Sequence, residues 1–567
     1  MEKRWVHKEQ PDQLVVATLS SDLNISPELA TLLAQRGIIS FDDAKFFFRP
    51  SLDDLHDPFL MKNMEKAVNR LCEAIFGNEK ILIYGDYDVD GTTSVSLVFG
   101  FLRNFTEQIA HYIPDRYTEG YGISTQGIEY AKDNNFNLII SLDCGIKAVD
   151  KAALANSYGI DLIICDHHLP GDILPDAYAV LDPKQKDDQY PFKELSGCGV
   201  GFKLLHGFCL QNTIPLEQLY DHLDLVAVSI ASDIVPIVGE NRILAYYGLK
   251  KLNEAPSKGL QSLIEISGLK GNLTISDVVF YLGPRINAAG RLTHARESVN
   301  LLLAESENDL EEFSLNLNTK NSERKDFDKT ITAEALEMIE SDENLKSAKS
   351  TVLFKNDWHK GVIGIVASRC IESYYRPTII LTESKNKATG SARSIAGFDI
   401  YEAISACADL LEQYGGHTHA AGLTMSIDRV ADFQKKFEEI VAATIKPEVL
   451  IPKLDIDLEV NLDFVSEKSF VIMNQMAPFG PQNLQPLFSS CGLKCNGQPR
   501  ILKEQHLKLS VYQENKNTAF SAIGFGLAHH SERIAAGESF QMAYHIDENI
   551  YMGNKSLQLM IKDIKFD

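Results

Sequence analysis

"KILIYGDYDVDGTTS", residues 80–94, joins an apolar, strand-like run to three aspartates at alternate positions and then to Gly91, where a helical pattern opens. The same step from apolar run to acid recurs in "NLIISLD" (137–143), "DLIICDHH" (161–168) and "AYAVLDP" (177–183), with helical patterns between them. Such alternation predicts a parallel sheet with crossover helices. Because ligands of open α/β sheets gather beyond the carboxyl ends of the strands, aspartates at four such ends predict one shared crevice.

The spacing of Asp86, Asp88 and Asp90 opens like a calcium loop of the EF-hand kind. That loop needs a bidentate Glu at its twelfth position and helices on both sides. Here the twelfth position is Leu97 and a strand precedes, so calcium is excluded on this ground. If the chain stays extended after Ile83, a period of two sets Asp86, Asp88 and Asp90 on one side and Tyr87 and Val89 on the other. Three ionised carboxylates so close need a counter-cation. The competing reading makes Asp90 the cap of the following helix, with its neighbours solvated. Asp143, Asp166, His167, His168 and Asp233, taken as further strand-end donors, shift the balance toward a metal centre. Asp and His without Cys suit manganese or magnesium, with zinc left open. The donors exceed what one ion needs, which predicts two ions, roughly 3.5–4 Å apart, bridged by a carboxylate and activating a nucleophile for attack at phosphorus.

The chain has 567 residues, enough for about three domains. No apolar run approaches the roughly 20 residues that span a bilayer, and "MEKRWVHKEQPDQ" is not followed by a secretory apolar segment, so a cytoplasmic protein with no membrane is expected. Nine cysteines without a Cys-x-x-Cys pair argue against a disulfide framework and for buried small side chains. A formal charge of −23 disfavours indiscriminate binding to polyanions, so any nucleic-acid contact must be local. Leu310, Phe313, Leu317, Phe327, Ile331 and Ile339 keep helical spacing through a polar stretch, which predicts a long helix with a thin apolar seam. Beyond it, "PTIILTE" and "GGHTHAAGLTMSI" predict a smaller α/β domain; "HLKLSVY" and "SLQLMIKDI", with a turn at "MGNKS", predict an antiparallel β module such as an OB-fold. The organisation expected is an N-terminal helical segment at 1–60, a catalytic domain at 61–304, a connecting helix at 305–345, a second domain at 346–452 and a β-barrel at 453–567.

"DYDVDG", "LDCG", "CDHH" and "ASDIVP", in that order, resemble the four motifs of the DHH phosphoesterase superfamily, and within it those of its single-strand-specific exonucleases. "GPRINAAGR" (283–291), "SARSIAGFDI" (391–400) and "GGHTHAAG" (415–422) are similar to the rest of that core and to its accessory DHHA1 domain. The resemblance covers nearly the whole chain. It implies metal ligands at Asp88, Asp90, Asp143, His167 and Asp233; Asp143, midway in the motif order, is taken as the bridging carboxylate. It implies catalytic support from Asp86 and Asp166, and a contact from His168 to the scissile phosphate or leaving oxygen. It further implies a 5′-phosphate and DNA track using Arg116, Arg285, Asn287, Ser391, Arg393 and His417, with Tyr121 and Tyr117 offering faces for base stacking. One departure is local: "APFGPQNLQPLF" (477–488) carries Gln482 where a second glycine is expected.

The function so implied is 5′ to 3′ degradation of single-stranded DNA to 5′-mononucleotides in repair and recombination. The enzyme would use two Mn2+ or Mg2+ ions and act as a monomer alongside a single-stranded-DNA-binding protein and a RecQ-type helicase. Selection for single strands would come from a gap between the two α/β domains. Two alternatives remain: a phosphodiesterase acting on short oligonucleotides or cyclic dinucleotides, and a non-catalytic replication scaffold.

Overall fold

The computed structural model describes residues 2–513, 518–551 and 553–566. It divides into two compact units, one made of His7–Gly290, His294–Leu317 and Asp455–Asp567, the other of Met1–Val6, Arg291–Thr293 and Asn318–Leu454. No helix among the described residues is long and apolar enough to cross a membrane.

In the larger unit, β1 (Ile81–Gly85), β2 (Ile109–Tyr112), β3 (Leu138–Leu142), β4 (Asp161–Cys165) and β5 (Ala179–Leu181) form a sheet of order β2-β1-β3-β4-β5. Every pairing in it is parallel. Both faces are covered, which is why β1 and β3 are continuous apolar runs. Ile81, Ile83 and Ile140 point into one core cluster, while Leu82, Tyr84 and Ile139 point into another. On the first face lie α1 (Val89–Leu102), α2 (Gly197–Gln211) and α3 (Leu223–Ser232), each buried along most of its length. The strand order reverses between β1 and β3, and an open α/β sheet forms its crevice at that switch point. Asp86 to Asp90 leave β1 there, and Asp143 leaves β3.

Three local expectations are corrected. The chain does not stay extended after β1: Asp88 is the N-cap of α1, its side chain accepting from the Gly91 N–H, and Asp90 lies in the first helical turn. The cap is therefore Asp88 and not Asp90. Asp233 ends no strand; it is the C-cap of α3. The N-terminal segment is helical from Gln13 but includes a short strand at Arg4–His7.

The tail is not purely antiparallel. Phe488–Cys495, Phe540–Tyr551, Asn554–Phe566, Ala519–Gly524 and His506–Gln513 pair in that order, and the last returns to the first, closing a five-stranded barrel of the OB kind. Ala519–Gly524 runs parallel to Asn554–Phe566. The expected turn falls between paired Tyr551 and Asn554, and its Met552 lies outside the described residues. At 477–483, Gln482 takes a left-handed φ of +61°, so the loop adopts the backbone that the missing glycine would favour.

Helix α4 (Glu307–Ser341) runs for 35 residues. Leu317, Ile331 and Ile339 are buried along it, whereas Phe327, read as part of the seam, is exposed and stacks on His359. In the smaller unit a five-stranded mixed sheet places Lys387–Arg393 between Thr378–Ser384 and Ala420–Met425.

Candidate metal centre

Asp90 is gripped from three sides. Its Oδ2 accepts the Gly197 N–H at 2.7 Å, and its Oδ1 accepts the Cys198 N–H at 2.8 Å and the Ser229 hydroxyl at 2.7 Å. Two of the donors are free amides that open α2, where the helix dipole also favours negative charge, and the hydroxyl comes from α3. Sequence reading missed them; the run of small residues "SGCG" before the α2 pattern is the signal that announces such an anion-facing helix start.

Asp143 leaves β3 with φ +59°, a left-handed turn that swings its carboxylate across the switch point. Gly197 packs against it so closely that an added Cβ would lie 2.6 Å from the Asp143 Cβ. His167 Nε2 then stands 3.2 Å from Asp143 Oδ1, 3.5 Å from Asp233 Oδ2 and 3.8 Å from Asp90 Oδ2. Neither ring nitrogen of His167 has a hydrogen-bond partner, and Asp143 Oδ2 and Asp86 Oδ2 are also buried without one. Buried polar atoms are ordinarily satisfied, and three carboxylates converging on one imidazole nitrogen make a donor set fitted to a divalent cation. Two overlapping groups have donor atoms within 4.8 Å of one another: Asp143, His167 and His168, and Asp90, His167 and Asp233. Asp88 belongs to neither group, and one of its oxygens is engaged in capping α1.

The electrostatics agree with this geometry. Burial, then the charge of Asp88, raises Asp86 well above the carboxylate range; burial, then Asp90, does the same to Asp143 and lifts Asp233 to about 8. Burial and then Asp90 also raise Asp88. Burial lowers His167, against the attraction of Asp90, which leaves a neutral ring able to ligate. Asp166 is the exception. Although burial opposes ionisation, its contacts to His168 and to the Ile146 N–H hold it at about 2. It accepts the backbone N–H groups of His167 and His168 at 2.7 and 3.1 Å, and it lies 2.8 Å from His168 Nδ1. That pairing overcomes burial and raises His168 to about 9. Asp166 is thus a positioning residue for both histidines. Asp182, at the end of β5, is pushed by burial to about 7.

Tyr121 is exposed, with its hydroxyl 3.2 Å from His168 Nε2 and its ring edge-on to Tyr87; Arg116 lies 4.7 Å over the Tyr87 ring. The structure therefore joins Tyr121 to the centre directly through His168, while Arg116 reaches Tyr121 by way of the Tyr87 ring. Arg285 is buried and donates to the Tyr281 carbonyl at 2.7 Å, and Asn287 Oδ1 is a buried atom without a partner. In the smaller unit, Arg393 donates to Ser391 Oγ at 3.0 Å, both facing Gly364, where a Cβ would lie 2.8 Å from the guanidinium. His417 sits on its own strand, edge-on to His419. Of the nine free cysteines, seven are buried; Cys144, Cys165 and Cys198 stand beside Asp143, Asp166 and the Asp90-binding amides, and burial raises all three thiols.

Comparison with known proteins covers the same regions. The N-terminal domain of the DHH family matches residues 80–230, the DHHA1 domain 347–443 and the RecJ OB domain 456–563. The single-stranded-DNA-specific exonuclease RecJ of Bacillus subtilis is 39% identical over 99% of this chain and 70% of its own length. That of Salmonella typhimurium is 32% identical over 99% of both chains. The crystal structure of Thermus thermophilus RecJ with Mn2+ superposes with a TM-score of 0.84 at 26% identity, covering 99% of this chain and 79% of that one. An exonuclease RecJ structure bound to manganese gives 0.62 at 30% identity, over 70% of this chain and 98% of that one. With a parallel-sheet DHH domain, a DHHA1 domain and a C-terminal OB barrel in one order along its length, the chain belongs to the RecJ family of DHH proteins.

Proposed function

We propose that the chain is a metal-dependent exonuclease that degrades single-stranded DNA from the 5′ end to 5′-mononucleotides. The observation that carries this reading is the ring of Asp90, Asp143 and Asp233 carboxylates around His167 Nε2, at 3.2–3.8 Å. With Asp88 these residues form the ligand set for two Mn2+ or Mg2+ ions, and Asp143 is assigned the bridging place. Bound there, the ions supply Lewis-acid polarisation of the phosphodiester and lower the pKa of a water toward neutrality.

The chain's own groups do the rest. His168, whose Nδ1 lies 2.8 Å from Asp166 and whose affinity for a proton that contact raises against burial, offers a donor to a phosphate or leaving oxygen. Asp86, buried behind Asp88 and accepting from the Gly122 N–H at 3.3 Å, supports the acidic loop. Arg116, Tyr121, Arg285 and Asn287 in the larger unit, and Ser391, Arg393 and His417 in the smaller, are assigned to the 5′-phosphate and the strand. Arginine suits this because its fork of donors matches phosphate oxygens. Domain boundaries at 61–304, 305–345, 346–452 and 453–567 follow the same reading. Support for a cytoplasmic monomer working with a single-stranded-DNA-binding protein and a RecQ-type helicase comes from the family alone.

A direct test offers 5′-labelled single strands, duplex and a cyclic dinucleotide, with Mn2+ and with chelator. Mononucleotides should appear from the single strand, with metal only. Hydrolysis of the cyclic dinucleotide alone selects the phosphodiesterase alternative, strand binding without cleavage selects the scaffold, and cleavage undiminished by chelator defeats the mechanism.

A further inference from the structure

Ile234 follows Asp233 directly and takes a φ of +61°. After a helix C-cap that conformation favours Gly or Asn, and for a β-branched side chain it is strained. Burial does not repay the strain, because Ile234 is 64% exposed. Strain of this kind, unsupported by burial, gathers at functional sites, and here it directly follows Asp233 of the metal centre.

Its side chain lines an open cavity of about 160 Å3 together with Ile275, Val279, Phe280 and Phe479. Phe280 is 70% exposed and lies in a π-helical turn, Val278–Leu282, a form often found at functional sites. The far wall is the 479–481 loop, pinned by the Ile237 N–H donating to the Pro481 carbonyl at 2.8 Å. Gly480 is required at this junction, since a Cβ would lie 2.5 Å from Ile237 Cγ1. No charged side chain lines the cavity, so it does not suit phosphate. It is smaller than the roughly 300–1,000 Å3 of a drug-sized site, yet several times the roughly 30 Å3 of a water.

What flanks it decides the occupant. One wall is a peptide bond away from the metal-centre residue Asp233, and Phe280 precedes the phosphate-directed Arg285 by five residues. An apolar, aromatic-walled recess that adjoins along the chain a metal-centre acid on one side and the arginine assigned to phosphate on the other suits a base, and not a phosphate, of a nucleic-acid strand. Resting on the exonuclease reading, we infer that this cavity is a nucleobase subsite, in which one base of the single strand stacks on Phe280 while its backbone lies at the metal centre. Stacking of this kind is indifferent to base identity, because every base offers a π-face.

The test uses the full-length protein and 5′-phosphorylated strands carrying one abasic residue, moved a position at a time from the 5′ end. In the wild-type protein one position should lower kcat/KM by about tenfold relative to the intact strand, the order expected for loss of one base–aromatic stack. In Phe280→Ala the intact-to-abasic ratio at that position should fall toward one, and in Phe280→Trp it should persist. A wild-type ratio independent of position overturns the subsite, as does a ratio unchanged by Phe280→Ala, the result expected if the cavity instead receives a protein partner. A wild-type protein that cleaves no intact strand defeats the exonuclease reading itself, which is a different failure.

Discussion

Ser229, on α3, donates its hydroxyl to Asp90 Oδ1 at 2.7 Å, so a serine on one helix fixes the carboxylate of an aspartate on another. Hydrogen bonds that orient a ligand tune metal affinity by roughly 10–100-fold. Ser229→Ala should weaken Mn2+ binding by about that factor and lower cleavage at limiting metal, while saturating Mn2+ recovers most of the rate. A Mn2+ titration of both proteins checks this. An unshifted titration curve rejects the role.

Asp143→Asn keeps the shape of the residue and tolerates its left-handed backbone, which Asn adopts readily. It removes one buried charge whose ionisation burial and Asp90 oppose. Cleavage should fall by several orders of magnitude, while the metal-free protein melts no lower than wild type. Full activity in this variant would refute the bridging assignment.

Gly197 lies within α2, where Ala normally stabilises a helix by about 1 kcal/mol. Here the added methyl would meet Asp143 Cβ at 2.6 Å and Oδ1 at 2.8 Å. Gly197→Ala should therefore reduce cleavage by at least about tenfold through displacement of a ligand, as 1 Å misplacements in a reacting site do. Steady-state rates with saturating Mn2+ provide the comparison, and wild-type rates in the variant would count against the close fit.

Metal and pH should be linked through the raised carboxylates. Asp233 goes from an ordinary value near 4 to about 8 in the metal-free fold, and Asp86 and Asp143 are raised as well. A carboxyl raised on folding binds its proton more tightly in the native state, so stability is fullest below about pH 4 from this source and falls as pH rises toward 8. His168, raised from 6.5 to about 9, contributes stability that is full below about pH 6.5 and is lost as pH rises from there through 9, so it adds to the fall. With chelator, the Tm should drop between pH 5 and pH 8. With Mn2+, which displaces those protons, the drop should shrink or vanish. Parallel melts across that range decide it.

Much of the centre is written locally. A strand that ends on Asp is visible because both its apolar run and its acid lie in one short segment, and β1, β3, β4 and β5 each show it. The histidine pair is legible for the same reason. What the sequence hides is conformation at the turn: nothing in "DYDVDG" distinguishes an extended acidic edge from a helix capped by Asp88, because both satisfy the same carboxylates. Asp233 was misplaced because an apolar run of α3 buried on all sides carries no helical stripe, so its pattern reads as a strand. The grip of Gly197, Cys198 and Ser229 on Asp90 spans more than a hundred residues and depends on how α1, α2 and α3 pack. Phe327 shows the converse, since helical spacing alone did not reveal that its ring would stack on His359 in the open.

Three cysteines adjoin the centre, two of them next in sequence to its acids and the third donating its backbone N–H to Asp90, and each is buried. Soft ions such as zinc and copper compete for a site through thiolate, and a thiol kept protonated is a poor ligand. Cys144, Cys165 and Cys198 are all raised by burial, with the neighbouring carboxylates adding to the effect. A thiophilic ion arriving here meets oxygen and imidazole, because burial, reinforced by the acids that attract a hard cation, silences the sulfur that would favour its rivals.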